Sequence, residues 1–167
     1  MEAYQTAIFV FLLLFGDYAF PFDKTQTLSL QSSDLAGGWD YTGFIYQGQK
    51  YAKPNDKLHV HFYFESGSLV RLHWTRDEDG SSCERLAVYN IEDDILYQKI
   101  IWVNPKNSFE CAKDPDMTMD EQTQTPISMA NENELDLHLG LNGEEFIYIL
   151  NRIVTDSKTL DYSHPAN

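Results

Sequence analysis

Three histidines sit close together in alternating runs, His59 and His61 in Leu58-His59-Val60-His61-Phe62 and His73 in Leu72-His73-Trp74. Imidazoles that converge on one point can hold an ion such as zinc. A hairpin that pairs Phe64 with Ser68 places His59 opposite His73, with His61 two residues along the same face, so these three are the candidate metal ligands. That face is expected to point to solvent, and Arg71, expected opposite His61, opposes a cation; no metal or cofactor is therefore expected. Cys83 and Cys111 are the second pair with chemistry. Their spacing is not that of a metal knuckle, and an even count in a chain that opens with an export leader reads as a disulfide. The densest carboxylates are Glu92-Asp93-Asp94 and Asp114, Asp116 and Asp120. The second group lacks the spacing and central glycine of a calcium loop, so both read as solvated turns. No Gly-x-Ser-x-Gly elbow, His-Glu-x-x-His or glycine-rich phosphate loop occurs, and binding rather than catalysis is expected.

The elements that must position these side chains are strands. Ten Tyr, ten Phe and three Trp make the chain 14% aromatic, and many alternate with polar residues in short runs. Turn signals recur every eight to twelve residues, and no amphipathic helix long enough for a parallel crossover intervenes. Eight antiparallel strands are expected: 38–47, 57–64, 69–76, 83–90, 95–103, 127–131, 134–141 and 145–153. The acidic turn 92–94 and Asn142-Gly143 are hairpin signals. Residues 105–125, with Cys111, two prolines and few apolar residues, read as a long surface loop tied to the fourth strand by the disulfide.

Alternation assigns the faces. Leu58, Val60, Phe62 and Phe64 share one face of the second strand, and Leu135, Leu137, Leu139 and Leu141 one face of the seventh. For Val70, Leu72 and Trp74 to meet the second strand's apolar set, Phe64 is expected to pair with Ser68, leaving Glu65-Ser66-Gly67 as the loop. A barrel of eight strands is just wide enough for filling side chains or for one small ligand. The expected lining of such a cavity is Tyr41, Ile45, Val60, Phe62, Leu72, Trp74, Leu137, Leu139 and Tyr148, and the expected occupant a small, largely apolar molecule.

Leu35-Ala36-Gly37-Gly38-Trp39 resembles the Leu-x-Gly-x-Trp signature that opens the first strand of lipocalins. Phe146-Ile147-Tyr148-Ile149-Leu150-Asn151-Arg152 is similar to their last strand, an apolar run ending in arginine. The resemblance covers most of 35–153 and implies an all-β, up-and-down, lipocalin-like barrel in which Arg152 packs across Trp39 and closes the base by a cation–π contact. An avidin-like barrel of the same broad group is the alternative; a fatty-acid-binding-protein arrangement fits less well, since no helix pair fits between Gln47 and Lys57.

Around the barrel, 1–20 reads as a signal peptide on its apolar run 7–15, which is too short to span a bilayer as a helix. Residues 21–34 form a polar segment and 154–167 a polar tail. An extracytoplasmic location, periplasmic or secreted, follows. The formal charge of −14, with 26 acids against 12 Lys and Arg, disfavours nucleic acid and anionic membrane surfaces. It leaves open a second functional class, a solid barrel whose acidic loop 105–125 contacts a basic protein partner.

Overall fold

The computed structural model describes residues 29–154 apart from Glu110 and Asn142. The leader and nearly all of the polar tail lie outside the described residues. A single helical turn, α1 (Ser32–Leu35), precedes nine strands: β1 (Gly37–Tyr46), β2 (Gln49–Ala52), β3 (Leu58–Glu65), β4 (Leu69–Arg76), β5 (Ser81–Glu92), β6 (Ile95–Val103), β7 (Gln122–Asn131), β8 (Glu134–Leu141) and β9 (Glu144–Arg152). Every pairing is antiparallel, and β9 pairs back onto β1, so the sheet closes on itself. Eight strands, β1 and β3 to β9, form the ring.

The ninth, β2, is an addition to the expected eight. It pairs with the upper half of β1, from Gly43↔Ala52 to Tyr46↔Gln49, where β3 has left off after Asp40↔His61. Gln47 and Gly48 both take positive φ and fold the chain back in two residues. The strand Gln-Lys-Tyr-Ala carries no apolar alternation, so no periodic signal marks it. Gly43 is needed here: a Cβ on it would lie 2.3 Å from the Tyr51 carbonyl oxygen. α1 is equally silent in the sequence, being one turn held by reciprocal capping between Gln31 and Asp34.

Two further expectations are corrected. The β3–β4 hairpin pairs Glu65 with Leu69, not Phe64 with Ser68, because Gly67 and Ser68 adopt positive φ and complete a Ser66-Gly67-Ser68 turn. The register thus moves by two, giving Phe62↔Leu72 and Val60↔Trp74. An even shift keeps every side chain on its assigned face. The long loop is also shorter than 105–125, since Gln122 to Thr125 already pair with Lys99 to Leu96 in β7. Buried Thr125 and Gln98 show why the segment carries no strand signal, its inward face being polar.

Because the strands run alternately up and down, the turns 66–68, 93–94 and 132–133 gather with α1 at one end. This base is sealed. Trp39 is fully buried and its indole Nε1 donates to the Leu35 carbonyl at 2.7 Å. The Arg152 guanidinium carbon lies 4.2 Å from the Trp39 ring centre, and its nitrogens donate to the carbonyls of Glu132 (3.0 Å), Ala36 (2.7 Å) and Asp34 (2.8 Å). Leu35, Val70, Ala87, Leu96, Leu135 and Leu150 pack around it with no measurable exposure. One charged side chain thereby joins the last strand, the β7–β8 turn and the helical turn. Arg152→Met, which keeps much of the packing and removes these bonds, is expected to lower unfolding free energy by about 2 kcal/mol in urea titration.

Candidate functional site

The upper end of the ring is built differently. A bulge at Thr42 shifts the β1–β9 register, so that Tyr41 faces Leu150 but Phe44 faces Tyr148 and Tyr46 faces Phe146. The extra residue reverses the alternation of β1. Ile45, expected in the lining, pairs with Ile147 on the opposite face, and Phe44 takes its inward place. Strict alternation carried across the strand cannot register a bulge.

The remaining eight expected lining residues lie on the inward face. Tyr41, Phe62, Leu72 and Leu137 are buried in the common core, and Val60, Trp74 and Tyr148 pack against it while only partly buried. Leu139 pairs with Phe146 above Leu137↔Tyr148. Tyr41 and Tyr148 stand 4.8 Å apart, Phe44 stacks on Phe146 at 4.8 Å and on Tyr51 at 5.1 Å, and Phe146 meets Tyr148 edge-on at 5.4 Å. Aromatic rings therefore line the upper wall on the β1–β9 side. Burial raises the pKa of the Tyr41 and Tyr148 hydroxyls, so both are uncharged hydrogen-bonding groups at neutral pH.

Opposite them the wall is polar, which the sequence reading missed. Arg85 follows Cys83 on the inward face of β5 and is buried. Both of its Nη atoms lie 3.4 Å from Gln98 Oε1, and its Nε has no partner. Desolvation lowers the Arg85 pKa, opposed by the charges of Asp116 and Asp114. The only signal was Arg at an inward step of β5, whose two faces, Cys-Arg-Ala-Tyr and Glu-Leu-Val-Asn, are both mixed.

Asp114 and Asp116 belong to the loop between β6 and β7, which crosses the upper end. The Cys83–Cys111 disulfide, with Cα atoms 6.3 Å apart, ties it to β5. Asn107 reinforces the tie, its side chain accepting from the Glu84 amide at 2.8 Å and donating to the Glu84 carbonyl at 3.1 Å. Two 3-10 turns follow, Cys111–Lys113 and Pro115–Met117; Asp114 caps the second by accepting from the Asp116 amide at 3.0 Å, and Met117 is buried. Desolvation raises the Asp116 pKa, with Arg85 pulling it down and Asp114 and Glu121 adding like charge. Asp116 and Asp114 also act on Tyr148 from across the ring. The loop is thus a lid over the upper end, and the charge of Asp114 and Asp116 reaches both Arg85 and Tyr148.

The three histidines share the outer face, in a register different from the expected one. His61 pairs with His73, and its Nε2 lies 3.4 Å from Asp40 Oδ1, while His59 pairs with Thr75 and turns to Asp77 at 3.1 Å. Arg71 faces Tyr63 instead of His61. Among the described residues no group of three or more His, Cys, Asp or Glu side chains is placed to hold a metal. Two open grooves, of about 330 and 460 Å3, run along the wall at β5–β7 and β7–β9, the second reaching Leu139 at the rim.

No protein-family model matches the chain, and no curated protein matches it by sequence. Solved structures similar to it include a lipocalin-like protein from Bacteroides uniformis, at 17% identity over 72% of this chain and 99% of that one, with a TM-score of 0.48. An uncharacterized protein from Bacteroides eggerthii is 14% identical over 71% and 98% of the two chains, with a TM-score of 0.45. A redesigned β-barrel is 12% identical over 76% and 98%, with a TM-score of 0.42.

Two outcomes are expected from this geometry. Cys111→Ser should cost about 3 kcal/mol of unfolding free energy, from the loop closed by the bridge, and should speed amide exchange in 111–117. Desolvation lowers the His61 pKa below its ordinary 6.5, with Asp40 opposing and His73, His59 and Lys53 adding to the fall. The unfolded chain therefore binds a proton that the folded one resists, and stability declines as pH falls below about 6.5. Urea midpoints at about pH 7.5 and pH 5 should differ less in His61→Gln than in the parent.

Proposed function

We propose that the exported protein binds a small, largely apolar molecule in the upper half of its barrel and catalyses no reaction on it. The observation that carries this reading is the difference between the two ends. The base is closed by fully buried Trp39 and Leu35, whereas Val60, Trp74, Leu139, Phe146 and Tyr148 face inward and yet are only half-buried. Inward apolar surface that the protein does not cover itself is where an apolar ligand gains most from leaving water, at roughly 25 cal/mol per Å2 removed. Tyrosine hydroxyls and Gln98 supply the few polar groups that orient such a ligand.

The disulfide supports a location outside the cytoplasm, where thiols are not kept reduced. Among the described residues no helix is long and apolar enough to cross a membrane. The acidic loop, the candidate contact for a basic partner, is anchored over the barrel by Cys111, Asn107 and buried Met117, which favours a role as a cover for the interior.

Titration of the mature protein with an environment-sensitive apolar probe is expected to show saturable one-to-one binding. Trp74 should be quenched and Trp102, on the exposed outer face, should not, as read by comparing Trp74→Phe and Trp102→Phe variants that keep Trp39. Leu139→Lys at the rim is expected to weaken the probe at least about tenfold with little change in thermal midpoint. Absence of saturable binding, or equal quenching of Trp102, would overturn interior binding.

A further inference from the structure

We propose that Arg85 is an anion anchor inside the barrel, so that the bound molecule carries a single carboxylate or comparable oxyanion on its apolar body. This rests on interior binding and names the chemical class of the ligand. Arg85 retains 3% of its surface, lying on the inward row of β5 between Cys83 and Ala87. A guanidinium presents five N–H donors in a planar fork suited to an oxyanion. Among the described residues its hydrogen-bonding partner is Gln98 Oε1, shared at 3.4 Å by two nitrogens, and its Nε donor is buried without a partner.

An arginine needed only for stability is normally paired when buried, since an uncompensated interior charge is strongly destabilising. Contrast Arg71 on the outer face, which donates to Glu65 at 3.0 Å and Glu84 at 2.6 Å. Arg152 at the base fills its fork with three carbonyls. Asp114 and Asp116 of the lid moderate the Arg85 charge from above, but neither makes an ion pair with it. They leave Nε without a partner while reducing the cost of burying the charge. Half-buried Trp74 on neighbouring β4 and Tyr148 across the ring offer apolar surface to the rest of the same molecule. On a protein of net charge −14, an internal cation is also the element that makes an anionic ligand acceptable.

The test compares a dansyl-labelled undecanoic acid with its methyl ester, which differs by the lost charge and one added methyl group, on the disulfide-intact protein. The acid is expected to bind at least about tenfold more tightly than the ester. Arg85→Gln should abolish that preference by weakening the acid at least about tenfold while changing the ester far less; if it does not fold, Arg85→Lys should reduce the preference by losing the fork while keeping the charge. Equal binding of acid and ester to the parent protein would overturn the anchor and leave interior binding standing. A preference that survives both substitutions would place the anion elsewhere and overturn it too. Failure of both probes to bind would remove the interior-binding reading along with it.

Discussion

Backbone pairing of β1 with β9 is the constraint on which the rest of the molecule depends, because it turns an open sheet into a ring whose free edge is confined to β2 and the start of β3 at the rim. Segments more than a hundred residues apart must meet, and the base provides the lock. Arg152 ends β9 in contact with Trp39 at the start of β1, and its fork fastens both to the turns beneath. Once the ring is closed, inward rows from eight strands have to share one interior, and the face of each residue becomes a statement about that interior.

Closure also makes the two ends unequal. At the base, short turns and one helical turn bring apolar side chains together without leaving surface uncovered. At the top, the Thr42 bulge reaims β1, β2 pairs only with its upper half, and a long loop stapled through Cys111 arches across. A bulge at a barrel rim is a common means by which a wall is re-aimed beside a site. The electrostatics follow the same division. Carboxylates dominate the exposed surface, whereas the interior below the lid holds a guanidinium beside an amide and faces neutral tyrosines.

Much of the fold was legible because strand faces obey a period of two. The apolar rows Val60-Phe62-Phe64, Val70-Leu72-Trp74 and Leu135-Leu137-Leu139 point where alternation put them, and a hairpin register wrong by two residues still left each row on its side. Inference failed where the rule has no purchase. The bulge at Thr42 moved Ile45 outward, β2 has too little apolar pattern to be seen, and the start of β7 buries Thr125 opposite Leu96 where an apolar row was sought. Arg85 escaped notice because neither face of β5 is plainly apolar, so composition could not say which row turned inward.

The sequence alone therefore determined the antiparallel all-β class, the strand faces, the paired cysteines, and the tryptophan and arginine that meet at the base. The first two depend on local alternation and turn residues, the cysteine pair on residue type, and the contact of Trp39 with Arg152 on the resemblance to lipocalins alone. Only the tertiary structure decided where alternation is interrupted, which loop crosses the open end, and that a guanidinium lies buried with a donor unfilled. Those are properties of partners distant in the chain: β5 is oriented by β4 and β6, the lid by a bond from Cys111 to Cys83, and the burial of Arg85 by all of them together.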